Sequence, residues 1–262
     1  MNLNYARLCF EQGNACHAQG DYSAAIQYFT QAIWTCPAFA LAHMNRGLSQ
    51  AALGNYKAAH VDYDQALHFD SCQVKIYYNR ALTRCEIGDF QGAIADYTRA
   101  LLLQPNYIQA YVNRGVTRTQ SGDIKGALSD YELALRIDPE STMTYFNIGT
   151  VCIELGDYNR AIAALEQAIR LHPSFAQAYL NLGNARGRLG NFQVAVTSYT
   201  QAIEINPNYA TAFYNRGEAY IELGNFQKAI EDYSFGAELF KKQGDMERYQ
   251  ETLDVIHRLQ LV

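Results

Sequence analysis

The sequence predicts an all-helical solenoid of seven tandem repeats, and three observations carry that prediction. Glycine recurs at positions 20, 54, 88, 122, 156, 190 and 224, a step of 34 residues without insertion. Alanine follows each one five residues later, at Ala25, Ala59, Ala93, Ala127, Ala161, Ala195 and Ala229. All five prolines, Pro37, Pro105, Pro139, Pro173 and Pro207, share one phase of the same period. A fixed period of this length marks a chain built from stacked supersecondary units.

Each unit reads as two helices. In the stretch from Ile108 to Pro139 the first helix ends at Gly122, since glycine takes the left-handed conformation that closes a helix. Asp123 follows as an N-cap for the second helix. Every repeat has Asp or Asn at this point: Asp21, Asn55, Asp89, Asp123, Asp157, Asn191 and Asn225. The second helix stops near Asp138, because the residue before proline avoids the helical region. Seven residues before each glycine stands a small residue: Gly13, Gly47, Ala81, Gly115, Gly149, Gly183 or Gly217. Together with the alanines, these small residues let the two helices of a repeat approach closely.

The repeats run over about 6–39, 40–73, 74–107, 108–141, 142–175, 176–209 and 210–243. After them Tyr249, Leu253, Ile256 and Leu259 fall at helical spacing within about 245–260. This predicts a terminal capping helix, which a solenoid needs to cover its last apolar face. The N-terminus has no such extra segment, so the first helix, with Arg7, Glu11 and Asn14, is expected to cap itself. One solenoid domain over 1–262 follows.

A 34-residue helix–turn–helix with small residues at its eighth and twentieth positions resembles the tetratricopeptide repeat (TPR), over roughly residues 6–240. Repeat positions are numbered so that Gly115 is position 8. The resemblance implies a right-handed superhelix whose first helices line a concave groove through positions 2, 5, 6, 9, 12 and 13. It departs from the family at position 4, often Trp but here Cys9, His43, Tyr77, Tyr111, Tyr145, Tyr179 and Phe213. Position 11, usually Tyr, is Arg84, Arg118 and Arg186 in three repeats, and Ser71 replaces the second proline.

Position 6 is Asn45, Asn79, Asn113, Asn147, Asn181 and Asn215, with Glu11 in the first repeat. Asparagine is a mediocre mid-helix residue, so six of them require a reason. A primary amide both donates and accepts, matching a peptide C=O and N–H. One per repeat makes a ladder for an extended chain, similar to the asparagine ladder in the TPR superhelix of O-linked N-acetylglucosamine transferases. The alternative is that each amide bonds to the neighbouring repeat and orders the stack. Beside the ladder, Tyr78, Phe146 and Tyr214 at position 5 and Leu82 at position 9 serve either as anchors for a ligand's apolar side chains or as packing between first helices. The TPR carboxylate clamp for chaperone C-termini is disfavoured, since position 5 is never Lys and position 6 never Arg.

Arginine at position 7 and aspartate at position 23 occur together: Arg46 with Asp62, Arg80 with Asp96, Arg114 with Asp130, Arg216 with Asp232. Where position 7 is Ile148 or Leu182, position 23 is Ala164 or Ser198. This predicts a partly buried bidentate ion pair inside each of four repeats. Arg80, Arg84, Arg114 and Arg118 are then neutralised by Asp96, Asp130 and Glu86 and do not form an anion site.

Composition removes other classes. A net charge of −5 argues against nucleic acid as a partner. No run of 18 apolar residues exists, so no membrane span is expected. The start, Met1 to Tyr5, lacks a basic region followed by an apolar stretch. The six cysteines form no Cys-x-x-Cys pair and read as reduced thiols of a cytoplasmic protein. No two histidines have metal-ligand spacing, and no phosphate-binding or nucleophile motif occurs, so no metal, cofactor or catalytic residue is expected. Tyrosine-rich Asn-Arg-Gly repeats point to a bacterial source. The reading that results is a non-catalytic scaffold or adaptor holding another protein or peptide. The alternative is a structural module forming homo-oligomers through its ends or convex face.

Overall fold

The computed structural model describes residues 3–261, and among them every regular element is an α-helix, fifteen in number. They fall into two compact units. Unit 1, Met1–Ile137, holds α1 (Leu3–Ala18), α2 (Tyr22–Thr35), α3 (Ala40–Ala52), α4 (Tyr56–Phe69), α5 (Val74–Glu86), α6 (Phe90–Leu103), α7 (Ile108–Gln120) and α8 (Ile124–Ile137). Unit 2, Asp138–Val262, holds α9 (Thr142–Glu154), α10 (Tyr158–Leu171), α11 (Ala176–Arg188), α12 (Phe192–Ile205), α13 (Ala210–Glu222), α14 (Phe226–Gln243) and α15 (Met246–Leu259).

The turns follow the predicted chemistry. Gly122 has φ +85°, and the Asp123 N–H reaches back to the Arg118 carbonyl at 2.8 Å, closing α7 in a Schellman-like turn. The Asp123 carboxylate then accepts from the Gly126 N–H at 3.0 Å and opens α8. Asp21, Asp89 and Asp157 cap their helices in the same way. Asn55, Asn191 and Asn225 accept no such bond, a departure from the sequence expectation.

The small residues work through one specific contact. A Cβ on Gly115 would lie 2.5 Å from Cε1 of the Tyr131 ring, and one on Gly149 2.5 Å from Cγ of Leu165. Position 8 is therefore a floor for the side chain at position 24, which is a fully buried Phe29, Tyr63, Tyr97, Tyr131, Leu165 or Tyr233 in six repeats. Ala127 and Ala161 are likewise fully buried. At the C-terminal end, α15 buries only Thr252 completely. Its predicted contact residues Tyr249, Leu253, Ile256 and Leu259 are half-buried.

Candidate protein-binding groove

Within each unit the first helices of successive repeats touch: α1 with α3, α3 with α5, α9 with α11, and α11 with α13. Their shared side is the inner face, and buried ion pairs fix its geometry. Arg46, Arg80, Arg114 and Arg216 each fork onto the aspartate of their own second helix. Nε donates at 2.7–2.9 Å and Nη2 at 2.6–2.7 Å to Asp62, Asp96, Asp130 and Asp232. The third nitrogen, Nη1, reaches back to the preceding repeat, to Thr30, Asp64, Thr98 and Thr200. Each arginine thus ties helix to helix and repeat to repeat. Burial pushes the Asp62 carboxyl up, but His43, with Nδ1 3.6 Å away, and the hydrogen bonds from Arg46 outweigh that and hold it below its ordinary value.

The position-11 arginines complete the frame. Arg84 Nη1 lies 2.9 Å from Asp96 and Nε 3.4 Å from Asp89, and Arg118 treats Asp130 and Asp123 the same way. The expected neutralisation holds, but with Asp89, Asp123 and Asp64 in the place assigned to Glu86. Arg186 instead donates to Ser198 and to Glu166.

The asparagines divide into two groups. Asn45 donates to Asn14 at 2.6 Å, Asn181 to Thr150 at 3.1 Å, and Asn215 to Asn184 at 2.7 Å. In each case the acceptor lies 31 residues upstream, at position 9 of the preceding repeat. Asn113 donates instead to the Tyr78 hydroxyl at 2.8 Å. The side chains of Asn79 and Asn147 have no hydrogen-bond partner among the described residues. At Asn113 and Asn181, as at Asn45 and Asn215, one N–H is therefore spent inside the protein. The physical reason is that a buried or half-buried N–H takes any acceptor within reach. Where position 9 is Asn or Thr, one is available. For Asn79 and Asn113 that position is Leu48 and Leu82, which offer none.

The apolar candidates also divide. Leu82 is exposed, as is Val116 one repeat later. Tyr78 is half-buried with its ring against Tyr97 and Tyr107, and Tyr214 is half-buried against Tyr233. Phe146 is only 8% exposed and packs on Phe175, so its ring belongs to the core of unit 2.

Unit 2 opens a cavity of about 850 Å3 on this inner face. Its lining includes Tyr214, Asn215 and Asn184, the carboxylates of Glu218 and Glu222, and the guanidinium groups of Arg188 and Arg258. Val255 and Leu259 of α15 form one apolar wall. Its volume lies within the range of ligand-binding clefts.

Models of the tetratricopeptide repeat match residues 74–107, 108–141 and 210–243, and a TPR repeat model matches 13–54, 149–190 and 188–224. The chain belongs to the tetratricopeptide-repeat family. Among solved structures it is similar to the MamA protein, at 27% identity over 66% of this chain and 94% of that one, with a TM-score of 0.61. A tetratricopeptide repeat protein from Parabacteroides merdae matches at 19% identity over 95% of this chain and 99% of that one, TM-score 0.70. YrrB, described as a TPR protein with an unusual peptide-binding site, matches at 24% identity over 73% and 97%, TM-score 0.60. Among curated proteins none matches.

Of the groove positions that the TPR resemblance implies, 2, 5, 6, 9, 12 and 13, the cavity uses all but position 2. The alternative in which the amide bonds to the neighbouring repeat is realised at Asn45, Asn181 and Asn215, through position 9, whose polarity was the signal for which asparagines take that role. Arg258 was beyond reach, because the helix that carries it lies outside the 34-residue register. Among the described residues no helix is long and apolar enough to cross a membrane.

Proposed function

We propose that this protein is a non-catalytic scaffold that holds an extended segment of a partner protein on its inner face. The observation that carries the reading is the 850 Å3 cavity of unit 2, lined by Tyr214 and Asn215, two residues the repeat pattern had singled out. In unit 1 the amide of Asn79, without an intramolecular partner, lies beside Leu82, exposed and three residues along the same helix. An amide pairs with a peptide backbone and an exposed aliphatic side chain takes an apolar side chain. The asparagines that already spend one N–H keep a second N–H and a carbonyl for a ligand. TPR chains are in general interaction scaffolds, and neither the cavity nor the frame assembles a nucleophile with a base. The same reading places the protein in the cytoplasm of a bacterium, with free thiols.

Self-association is favoured by a different observation. Leu8 is 50% exposed at position 3, where Ala42, Ile76, Ala110, Thr144, Ala178 and Ala212 are buried to 0%. An end face of this kind suits a second chain. Selection of peptides from a random display library on immobilised protein, with sedimentation velocity on the same sample, separates the two readings. Enriched peptides on a monomeric protein are expected. No enrichment together with concentration-dependent dimers would overturn the peptide reading.

A further inference from the structure

We infer that Gly187 sets what the unit 2 cavity accepts: by omitting one side chain it forms a notch for an uncharged aromatic side chain of the bound segment. This deepens the peptide-binding reading above and rests on it. Three residues at position 12 line the cavity from successive first helices, Ile153 on α9, Gly187 on α11 and Ile221 on α13. The middle one alone has no side chain. Nothing in the fold requires that. On Gly183, one turn earlier in α11, a Cβ would collide with the Tyr199 ring, so glycine there makes room for packing. A Cβ on Gly187 would meet the Tyr199 hydroxyl at 3.8 Å and the Ala195 methyl at 4.0 Å, which is ordinary van der Waals contact. Its φ is not among the positive ones either, so alanine could adopt the same backbone. Glycine in a helix is destabilising relative to alanine. Gly187 therefore costs stability and leaves a space that the fold does not use.

The surrounding groups name the occupant. Ile153 and Ile221 stand on either side of the notch, and the half-buried rings of Phe192 and Tyr214 line the same cavity. Aromatic rings gain from tilted or offset contact with another ring. The charged groups cancel: Glu218 and Glu222 share the cavity with Arg188 and Arg258, two of each sign, so the lining favours neither a cation nor an anion. An uncharged side chain also avoids the cost of taking a charge out of water. Asn184 supplies the grip on the backbone. Its Oδ1 accepts from Asn215 at 2.7 Å and from the Tyr199 hydroxyl at 2.9 Å. Those two bonds fix its orientation and leave its NH2 group to donate to a peptide carbonyl. Asn184 and Gly187 are three residues apart on α11 and share a face, so one residue of the segment can bond to the first and seat its ring at the second.

A peptide array with two variants tests this. The probe is a set of immobilised random peptides, each matched to one version with every Phe, Tyr and Trp changed to Ala and another with each changed to Leu. The wild-type protein is expected to bind the aromatic peptides about tenfold more tightly than their Ala versions, and several-fold more tightly than their Leu versions. Gly187→Ile copies the two flanking repeats and fills the notch, and is expected to bind all three versions alike. Gly187→Ala is expected to lose part of the preference while its melting temperature rises by about 1–3 °C. Weaker binding on a more stable protein is a result that a purely structural glycine would not give, and Gly187→Ala decides the matter by itself if Gly187→Ile does not fold. A fall in its melting temperature would show that the fold needs the glycine and would overturn the inference. A preference that survives Gly187→Ile, or peptide binding that ignores aromatic content, would overturn it too and leave the scaffold reading intact. Equal binding of the Leu versions would overturn the choice of an aromatic occupant. An array that binds no peptide at all would overturn both this inference and the peptide-binding reading.

Discussion

The inner faces of the two units use one repeat pattern with different chemistry. Unit 1 places Leu48, Leu82 and Val116 at position 9 after an Asn14 in its first repeat, and unit 2 places Thr150, Asn184 and Glu218 there. In unit 2 the following asparagines, Asn181 and Asn215, are tied to those polar neighbours, and the face opens into a charged cavity. In unit 1 Asn45 is tied to Asn14 in the same way, but Asn79 is left free and Asn113 turns to Tyr78. The difference teaches that a repeated residue has no fixed role. A polar side chain 31 residues upstream ties a position-6 amide into the stack, and a leucine there leaves it to a tyrosine, at Asn113, or without an intramolecular partner, at Asn79.

The frame beneath these faces differs too, and it carries the largest expected effect. Asp130 neutralises both Arg114 and Arg118, whereas Asp232 serves Arg216 alone. Removing one partner of a buried pair leaves an uncompensated charge and costs about 3–5 kcal/mol. Asp130→Ala should sit at the top of that range and Asp232→Ala at or below its bottom, measured by urea unfolding. The double exchange Arg216→Ile/Asp232→Ala copies Ile148 and Ala164 of repeat five, and should recover most of the loss. The held-down Asp62 carboxyl adds a pH signature. Its stabilisation is complete above the ordinary aspartate value of about 3.9 and disappears as pH falls through its lower folded value. Equal costs for Asp130→Ala and Asp232→Ala would break the comparison.

Most of the frame was legible. The 34-residue step located fourteen of the fifteen helices, because glycine, proline and helix-capping aspartate act locally, and the apolar spacing of Tyr249, Leu253, Ile256 and Leu259 located the last. Arg46–Asp62 and its three counterparts were legible because both partners vary together within one chain. The backward bonds to Thr30, Asp64, Thr98 and Thr200 were not, since their acceptors mix hydroxyl and carboxylate and share no single letter. The cavity escaped as a whole. Its walls come from five helices and the capping segment, and periodicity describes one repeat at a time.

Close packing gives the next effect in size. A Cβ on Gly115 would lie 2.5 Å from the Tyr131 ring, but one on Gly217 would lie 3.2 Å from Tyr233. Ala81 already stands at this position above a buried Tyr97. Gly115→Ala should therefore destabilise by about 1–3 kcal/mol through overpacking, and Gly217→Ala by much less. Thermal melts of the two variants check this. Ala127→Leu, at a fully buried site against the same pair of helices, belongs with Gly115→Ala.

The buried tyrosines separate the units at about 1 kcal/mol. The Tyr63 hydroxyl in unit 1 is buried without a hydrogen-bond partner, while Tyr199 in unit 2 donates to Asn184 at 2.9 Å. Tyr63→Phe should be neutral or stabilising, and Tyr199→Phe should cost about 1 kcal/mol. Burial pushes the Tyr63 phenol up to about 12. Its folded form is therefore stabilised below the ordinary tyrosine value of about 10, and that contribution is lost as pH rises towards 12. Unfolding followed by circular dichroism should move to higher pH in Tyr63→Phe.

The smallest effect tests the division of the asparagines. Asn215→Ala removes a 2.7 Å bond and strands the carbonyl of Asn184, which keeps only Tyr199 as a donor. The net loss of one such bond is about 0.5–1.5 kcal/mol. Alanine returns a few tenths through its better helix propensity, so about 0.5 kcal/mol of destabilisation remains. Asn79→Ala loses no intramolecular bond and keeps the propensity gain, so it should be neutral or slightly stabilising. Peptide affinity should order the pair the other way for a segment seated on unit 1, where Asn79→Ala weakens binding a few-fold and Asn215→Ala does not. Paired urea titrations and peptide titrations on the two variants decide it. If Asn79→Ala destabilises the fold as much as Asn215→Ala, the free amide is ordering the stack after all. The role of position 6 would then be uniform along the chain.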